Sequence, residues 1–106
     1  MNKNTIIFDL DGTLANIDAR RKLSLKPNGK MDWDVFFDPK NIKLDLPNQP
    51  VIDMANMLSK QGYKIYILSG RSDVTEEATM DWMADNDVPS GTIWMRPQEH
   101  LYMADN

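Results

Sequence analysis

Residues 6–14 read Ile-Ile-Phe-Asp-Leu-Asp-Gly-Thr-Leu, and this stretch decides the fold. Ile6, Ile7 and Phe8 form an apolar run of the kind found in a parallel strand covered on both faces. Asp9 and Asp11 stand where that strand should end. Residues two apart on a strand point the same way, so the two carboxylates share a rim. Gly12 and Thr13 then break the strand and present backbone amides to a ligand. Asp-Gly after an apolar run is also an ordinary turn signal. The second carboxylate argues against a turn alone, because adjacent acids repel unless a cation or a shared proton relieves them. Such a rim suits a divalent metal and a phosphate, with one carboxylate attacking phosphorus while the other moves a proton.

Working outward, Tyr63–Leu68 reads as a second strand and Thr92–Met95 as a third. Between them, Ser69-Gly70-Arg71-Ser72 reads as a strand-to-helix turn. There Ser69 can hold a phosphoryl oxygen, Gly70 lets the backbone come close, and the planar fork of Arg71 can clamp a phosphate. Val51, Met54, Ala55 and Leu58, spaced by three and four, predict a helix. Pro50 suits its first turn, Asn48 or Gln49 its cap, and Gly62 its close. A second helix is predicted from about Asp73 to Asp85. Ser72 or Asp73 caps it, Val74, Ala78, Trp82 and Met83 form its buried face, and Asn86 and Pro89 end it.

Residues 12–49 read as irregular, with Pro27, Asn28-Gly29, Pro39 and Pro47 as breakers, and they hold an apolar knot of Trp33, Val35, Phe36 and Phe37. Such a knot usually anchors a small cap, although it can stack on a base. The order strand, loop, helix, strand, helix, strand predicts an α/β fold: a Rossmann-like parallel sheet with flanking helices. Ligands of such sheets sit at the carboxyl ends of the strands, where Asp9, Asp11, Ser69 and Arg71 all fall.

Composition narrows the function. The 106 residues predict one domain, with a core at 1–16 and 48–106 and a small cap or lid at 17–47. A formal net charge of −4 argues against broad electrostatic capture of nucleic acid, but leaves room for one strand end held by local cations. Arg20, Arg21, Lys22, Lys26 and Lys30, with no acid between them, are either a lid that steers an anion or a solvated face. With no cysteine there is no thiol chemistry and no disulfide, in keeping with a cytoplasmic location. No apolar run is long enough to span a bilayer. The single histidine, His100, lies in a polar tail and is not expected to be catalytic.

Phe8-Asp9-Leu10-Asp11-Gly12-Thr13-Leu14 resembles the first motif of the haloacid dehalogenase-like (HAD) phosphohydrolase superfamily. The resemblance implies a nucleophilic role for Asp9, a general acid/base role for Asp11, and Mg²⁺ held by the pair. Ser69-Gly70-Arg71 resembles the second motif, in the form found in the 3′-phosphatase domain of bacteriophage-type polynucleotide kinases. Gln61–Arg71, Arg20 in the loop after the first motif, and Trp94-Met95-Arg96-Pro97 are similar to that subfamily as well. Arg20 is then implied as a substrate-binding residue. The implied activity is Mg²⁺-dependent phosphomonoester hydrolysis through an aspartyl-phosphate, on a nucleotide or a polynucleotide 3′-phosphate end, with a small phosphorylated molecule as a further candidate substrate. The family's third-motif Lys and later acidic pair have no counterpart after Lys64, so the core reads as truncated after the third strand. Two outcomes stand: the catalytic set is completed elsewhere or by a second copy, or the chain is a module that binds metal, phosphate or a protein partner without turnover. In either case a second copy or a partner is expected to cover the open sheet edge.

Overall fold

A computed structural model describes residues 4–89 and 91–96. The expected polar tail with His100, and Pro97 of the third-strand resemblance, lie outside the described residues. Three strands, β1 (Thr5–Asp9), β4 (Lys64–Ser72) and β5 (Thr92–Arg96), form a parallel sheet in the order β1-β4-β5. Phe8 stands opposite Ile67 and Asp9 opposite Leu68; Ile67 in turn faces Ile93. The α/β class and the parallel sheet agree with the sequence.

A small antiparallel ribbon joins β2 (Ala15–Asn16) to β3 (Leu46–Pro47). It pins together the two ends of an excursion that holds α1 (Asp18–Ser24), α2 (Trp33–Phe36) and a 3-10 turn (Pro39–Leu44). These elements are absent from the sequence reading, and α1 shows why. Its buried residues are Arg20 and Ser24, whereas Leu23 and the following Leu25 are more than half exposed. The apolar pattern of the segment is inverted, so hydrophobic spacing cannot reveal the helix. Trp33 stacks on Phe37, and Phe36 meets both rings edge-on, with ring centroids 5.2–5.7 Å apart, while the Arg20 guanidinium lies 4.4 Å from the Phe36 ring centre.

Helix α3 (Gln49–Lys60) begins after Asn48 with Pro50 in its first turn, and Gly62 follows it at φ 99°. Asn48 caps by position alone, since its side-chain amide donates to the Thr13 carbonyl at 2.8 Å. The buried face is Ile52 and Ala55, with Val51 and Leu58 partly covered, while Met54 is exposed. The expected face is right at Val51, Ala55 and Leu58, errs at Met54 and misses Ile52. Helix α4 (Glu76–Asp85) carries Trp82 and Met83 inward and ends at Asn86. It starts later than expected because a 3-10 turn, Asp73–Thr75, intervenes, capped by the Ser72 hydroxyl accepting from the Val74 N–H. Val74 is exposed there.

One expectation fails at the sheet. Ile52, Ala55, Trp82 and Met83 join Phe8, Ile65 and Ile67 in a single core, while Ile7, Tyr66, Leu68 and Trp94 on the other row are all exposed. The chain steps one way across the sheet, from β1 to β4 to β5. Right-handed crossovers that step one way lay their helices on one face. Among the described residues the sheet is thus covered on a single side, and the apolar run of β1 does not mean burial on both.

Candidate active site

The turn after β1 is held by its own backbone. The N–H groups of Thr13, Leu14 and Ala15 converge on the Leu10 carbonyl at 3.3, 3.0 and 2.9 Å, and Gly12 donates to the Ala15 carbonyl at 2.8 Å. Gly12 adopts φ 84°, which residues with a Cβ rarely tolerate. The amides of Gly12 and Thr13, which the sequence points at a ligand, are committed to closing this turn, because the chain re-enters a strand at Ala15 and its buried polar groups must pair. Gly12 itself is open: no heavy atom lies within 4 Å of where a side chain would start.

Asp9 is the last residue of β1 and is exposed. Among the described residues no hydrogen bond or ion pair engages its carboxylate. Because the strand stops there, Asp11 enters the site from the turn and not from a strand position. Asp11 is strongly held. Its Oδ1 accepts from Arg71 Nε at 2.9 Å, lies 2.7 Å from Arg71 Nη2, and sits 3.4 Å from Arg20 Nη2. All of these contacts fall on Oδ1, which leaves Oδ2 of a partly exposed side chain for other work.

Behind Asp11 lies a buried carboxylate that the sequence did not point to. Asp45 follows the 3-10 turn, and its side chain is fully buried. It accepts from Arg20 Nε at 2.9 Å, Arg20 Nη2 at 3.0 Å and Arg71 Nη2 at 2.7 Å. Two carboxylates thus face two guanidiniums, and the cluster balances. Arg20 Nη1 also donates to the Phe36 carbonyl, and Arg71 Nη1 to Thr79 Oγ1, each at 2.9 Å. Trp82 Nε1 donates to the Asp45 carbonyl at 2.9 Å. Among the described residues no buried side-chain nitrogen or oxygen lacks a partner. In the low-dielectric interior such satisfied, charge-assisted bonds are strong and directional.

Arg20 and Arg71 are both wholly buried and spend most of their donors on carboxylates, a carbonyl and a hydroxyl. Ser69 is buried too, and its Oγ accepts from the Arg71 N–H at 3.0 Å. The Ser69-Gly70-Arg71-Ser72 stretch is part of β4 and not a turn. Pairing with β5 continues to Ser72 opposite Arg96, with a bulge between Ser69 and Ser72. The helix N-terminus expected beside Ser69 is therefore displaced past Ser72. Gly70 is exposed with open space around it.

Asp45 gave no signal in the sequence. It lies between Leu44 and Leu46, both of which are exposed, so a buried charge sits between two solvated leucines. Nothing in the residue types foretells that inversion. Among the described residues no group of three or more His, Cys, Asp or Glu side chains is placed to hold a metal, and no helix is long and apolar enough to cross a membrane.

Comparison with known proteins places this geometry. The profile of the polynucleotide kinase PNKP phosphatase domain matches residues 3–105. Two solved structures share the fold over 96% of the chain. One, the Pnkp1/Rnl/Hen1 RNA repair complex, is 25% identical with a TM-score of 0.67; another Pnkp1/Rnl/Hen1 complex is 26% identical with a TM-score of 0.66. The chain covers 32% and 34% of those two chains, about a third of their length. With a bound carboxylate backed by two buried guanidiniums at the end of the first strand, and a family match across nearly its whole length, this chain belongs to the family of HAD-like polynucleotide kinase PNKP phosphatase domains.

Proposed function

We propose that the chain is the phosphatase part of a nucleic-acid end-repair enzyme, acting on a phosphomonoester of a nucleotide or a polynucleotide 3′ end. One observation carries the proposal: a free carboxylate, Asp9, stands two residues from Asp11, whose Oδ1 is locked by Arg71 and whose Oδ2 is not. An unpaired carboxylate is suited to attack, and an oriented one to proton transfer. The charges of Asp11 and Asp45 are balanced by Arg20 and Arg71, so the charge of Asp9 is left uncompensated.

The donor chemistry fits Mg²⁺, which needs one or two hard carboxylate oxygens and keeps several waters. Asp9 and the backbone carbonyl of Asp11 would hold it. When bound, the ion neutralises phosphate charge and favours attack on phosphorus. The Asp9 carboxylate attacks in line and forms an aspartyl-phosphate as the bond to the leaving oxygen breaks. Asp11 first takes a proton from solvent on its unengaged Oδ2, gives it to that oxygen as the bond to phosphorus breaks, and regains one from the water that hydrolyses the acyl phosphate. Arg20 and Arg71 act through Asp11, holding its rotamer, and are positioning residues. Gly12 and Gly70 leave room for the phosphoryl group, and Thr13 and Ser69 brace the two backbone segments that flank it.

The test is phosphate release from p-nitrophenyl phosphate with and without Mg²⁺. Wild type is expected to release phosphate only with the ion, and Asp9→Asn is expected to lose at least 10³-fold with an unchanged circular dichroism spectrum. An Asp9→Asn rate equal to wild type would overturn the assignment. A second reading, a module that binds without turnover, is favoured by the missing third metal-ligating side chain among the described residues. Mg²⁺ binding without any release would select it.

A further inference from the structure

Ser72, Thr75 and Thr79 are wholly buried, although none of them is apolar. Thr75 closes the 3-10 turn after β4, and Thr79 and Trp82 follow it along the inward face of α4. Hydroxyls in a core are costly unless they are bonded, and these are. Arg71 Nη1 donates to Thr79 Oγ1 at 2.9 Å, Thr79 Oγ1 to Thr75 Oγ1 at 3.5 Å, and Thr75 Oγ1 to the Ser72 carbonyl at 2.8 Å. A guanidinium only donates and a carbonyl only accepts, so the two hydroxyls between them have one way to point. The chain of bonds starts on Arg71 and ends on its neighbour Ser72. It therefore closes a loop through the 3-10 turn and the first turn of α4.

This loop acts on the plane of the Arg71 guanidinium. Nε serves Asp11, Nη2 serves Asp45 and Nη1 serves Thr79, so all three corners are held. With two corners held, a plane still tips about the line that joins them; the third corner stops it. The Nε–H that meets Asp11 Oδ1 lies in that plane. The Thr79 hydroxyl thus sets the angle from which Asp11 is gripped, without touching it. Trp82, one turn further on, donates to the Asp45 carbonyl at 2.9 Å, so α4 also anchors the second carboxylate that Arg71 meets.

We infer that Thr79 is a positioning residue for proton transfer by Asp11: its hydroxyl fixes the Arg71 plane, and through that plane the direction of the Asp11 carboxylate. The inference rests on the phosphatase reading, in which Asp11 protonates the leaving oxygen. Proton transfer by a positioned side chain contributes about 10²–10⁴-fold, and it depends on alignment. An alkoxide needs that proton in order to leave, whereas p-nitrophenolate leaves without one. Loss of the Thr79 hydroxyl should therefore slow an alkyl phosphate more than an activated aryl phosphate. A general loosening of the core, or a weaker hold on phosphate, would slow both alike.

The test compares kcat/KM for p-nitrophenyl phosphate and for thymidine 3′-phosphate on the whole chain with Mg²⁺, since this constant reports the step in which the leaving group departs. Thr79→Val keeps the shape of threonine and leaves an Arg71 N–H without its acceptor. It is expected to raise the ratio of the aryl to the nucleotide constant at least about tenfold. Thr79→Ser restores the hydroxyl and is expected to bring the ratio back to within about twofold of wild type. Circular dichroism checks that each variant is folded. Should Thr79→Val not fold, Thr79→Cys, whose sulfur accepts weakly, takes its place with an expected rise of at least about threefold. A folded variant whose ratio equals that of wild type, or a Thr79→Ser ratio shifted as far as that of Thr79→Val, overturns the inference and leaves the phosphatase reading standing. No release from either ester by wild type removes that reading, and the inference with it.

Discussion

Replacing Asp45 with Asn tests whether the buried ion cluster holds the domain together. Asp45 takes three charge-assisted hydrogen bonds, two from Arg20 and one from Arg71, and all three side chains are fully buried. Asparagine keeps the shape but has a single acceptor oxygen. Its NH₂ group would face guanidinium N–H groups, donor against donor. Breaking a buried pair from one side costs about 3–5 kcal/mol, because a charge is left without its partner. Arg71 would still reach Asp11, and Arg20 the Phe36 carbonyl, so the lower end applies: about 3 kcal/mol. With a urea slope of about 1.5 kcal/mol/M, the unfolding midpoint should fall by about 2 M. Urea titration followed by circular dichroism reads this directly. A double variant, Arg20→Met with Asp45→Leu, removes both partners and should lose at least about 1 kcal/mol less than the two single changes summed. An Asp45→Asn midpoint within about 0.3 M of wild type, or strict additivity in the double variant, would refute the account.

Two further outcomes follow from the sheet. A side chain at Gly91 would overlap the backbone carbonyl of Ile65, which is not a contact that a rotamer can relieve. Gly91→Ala should therefore force β5 away from β4 and lower stability by about 2 kcal/mol or more in the same titration; an unchanged midpoint would mean that the approach is looser than described. Leu68→Lys places a charge on the bare sheet face, where Leu68 is 46% exposed, and should shift stability by less than about 0.5 kcal/mol. A loss above about 1 kcal/mol would show that something covers this face in solution.

Much of the fold was legible because it is written in local pattern. The run Ile6–Phe8, the Pro50 entry to α3 and the Asn86 exit from α4 are signals carried by a few neighbouring residues, and each element appeared near its expected place. The two aspartates after β1 were legible for the same reason. The errors came where burial and residue type part company. Helix α1 buries an arginine and a serine and exposes a leucine, so its stripe could not be seen. Met54 was placed inward and Ile52 was missed, since apolar residues lie on both sides of α3 and spacing alone does not choose between them.

By itself, the sequence determined a strand that ends at a carboxylate with a second two residues on, the alternation of strands and helices, and membership of a phosphatase family. Only the tertiary structure decided what Arg20 and Arg71 do. They are buried and ion-paired with Asp11 and with an Asp45 that lies 25 and 26 positions away along the chain, while Arg71 and Asp11 are separated by 60. Charge pairing at such separations has no period and leaves no local mark. The same holds for the bare face of the sheet. Hydropathy records which residues favour burial, but the handedness of the crossovers decides which face receives the helices.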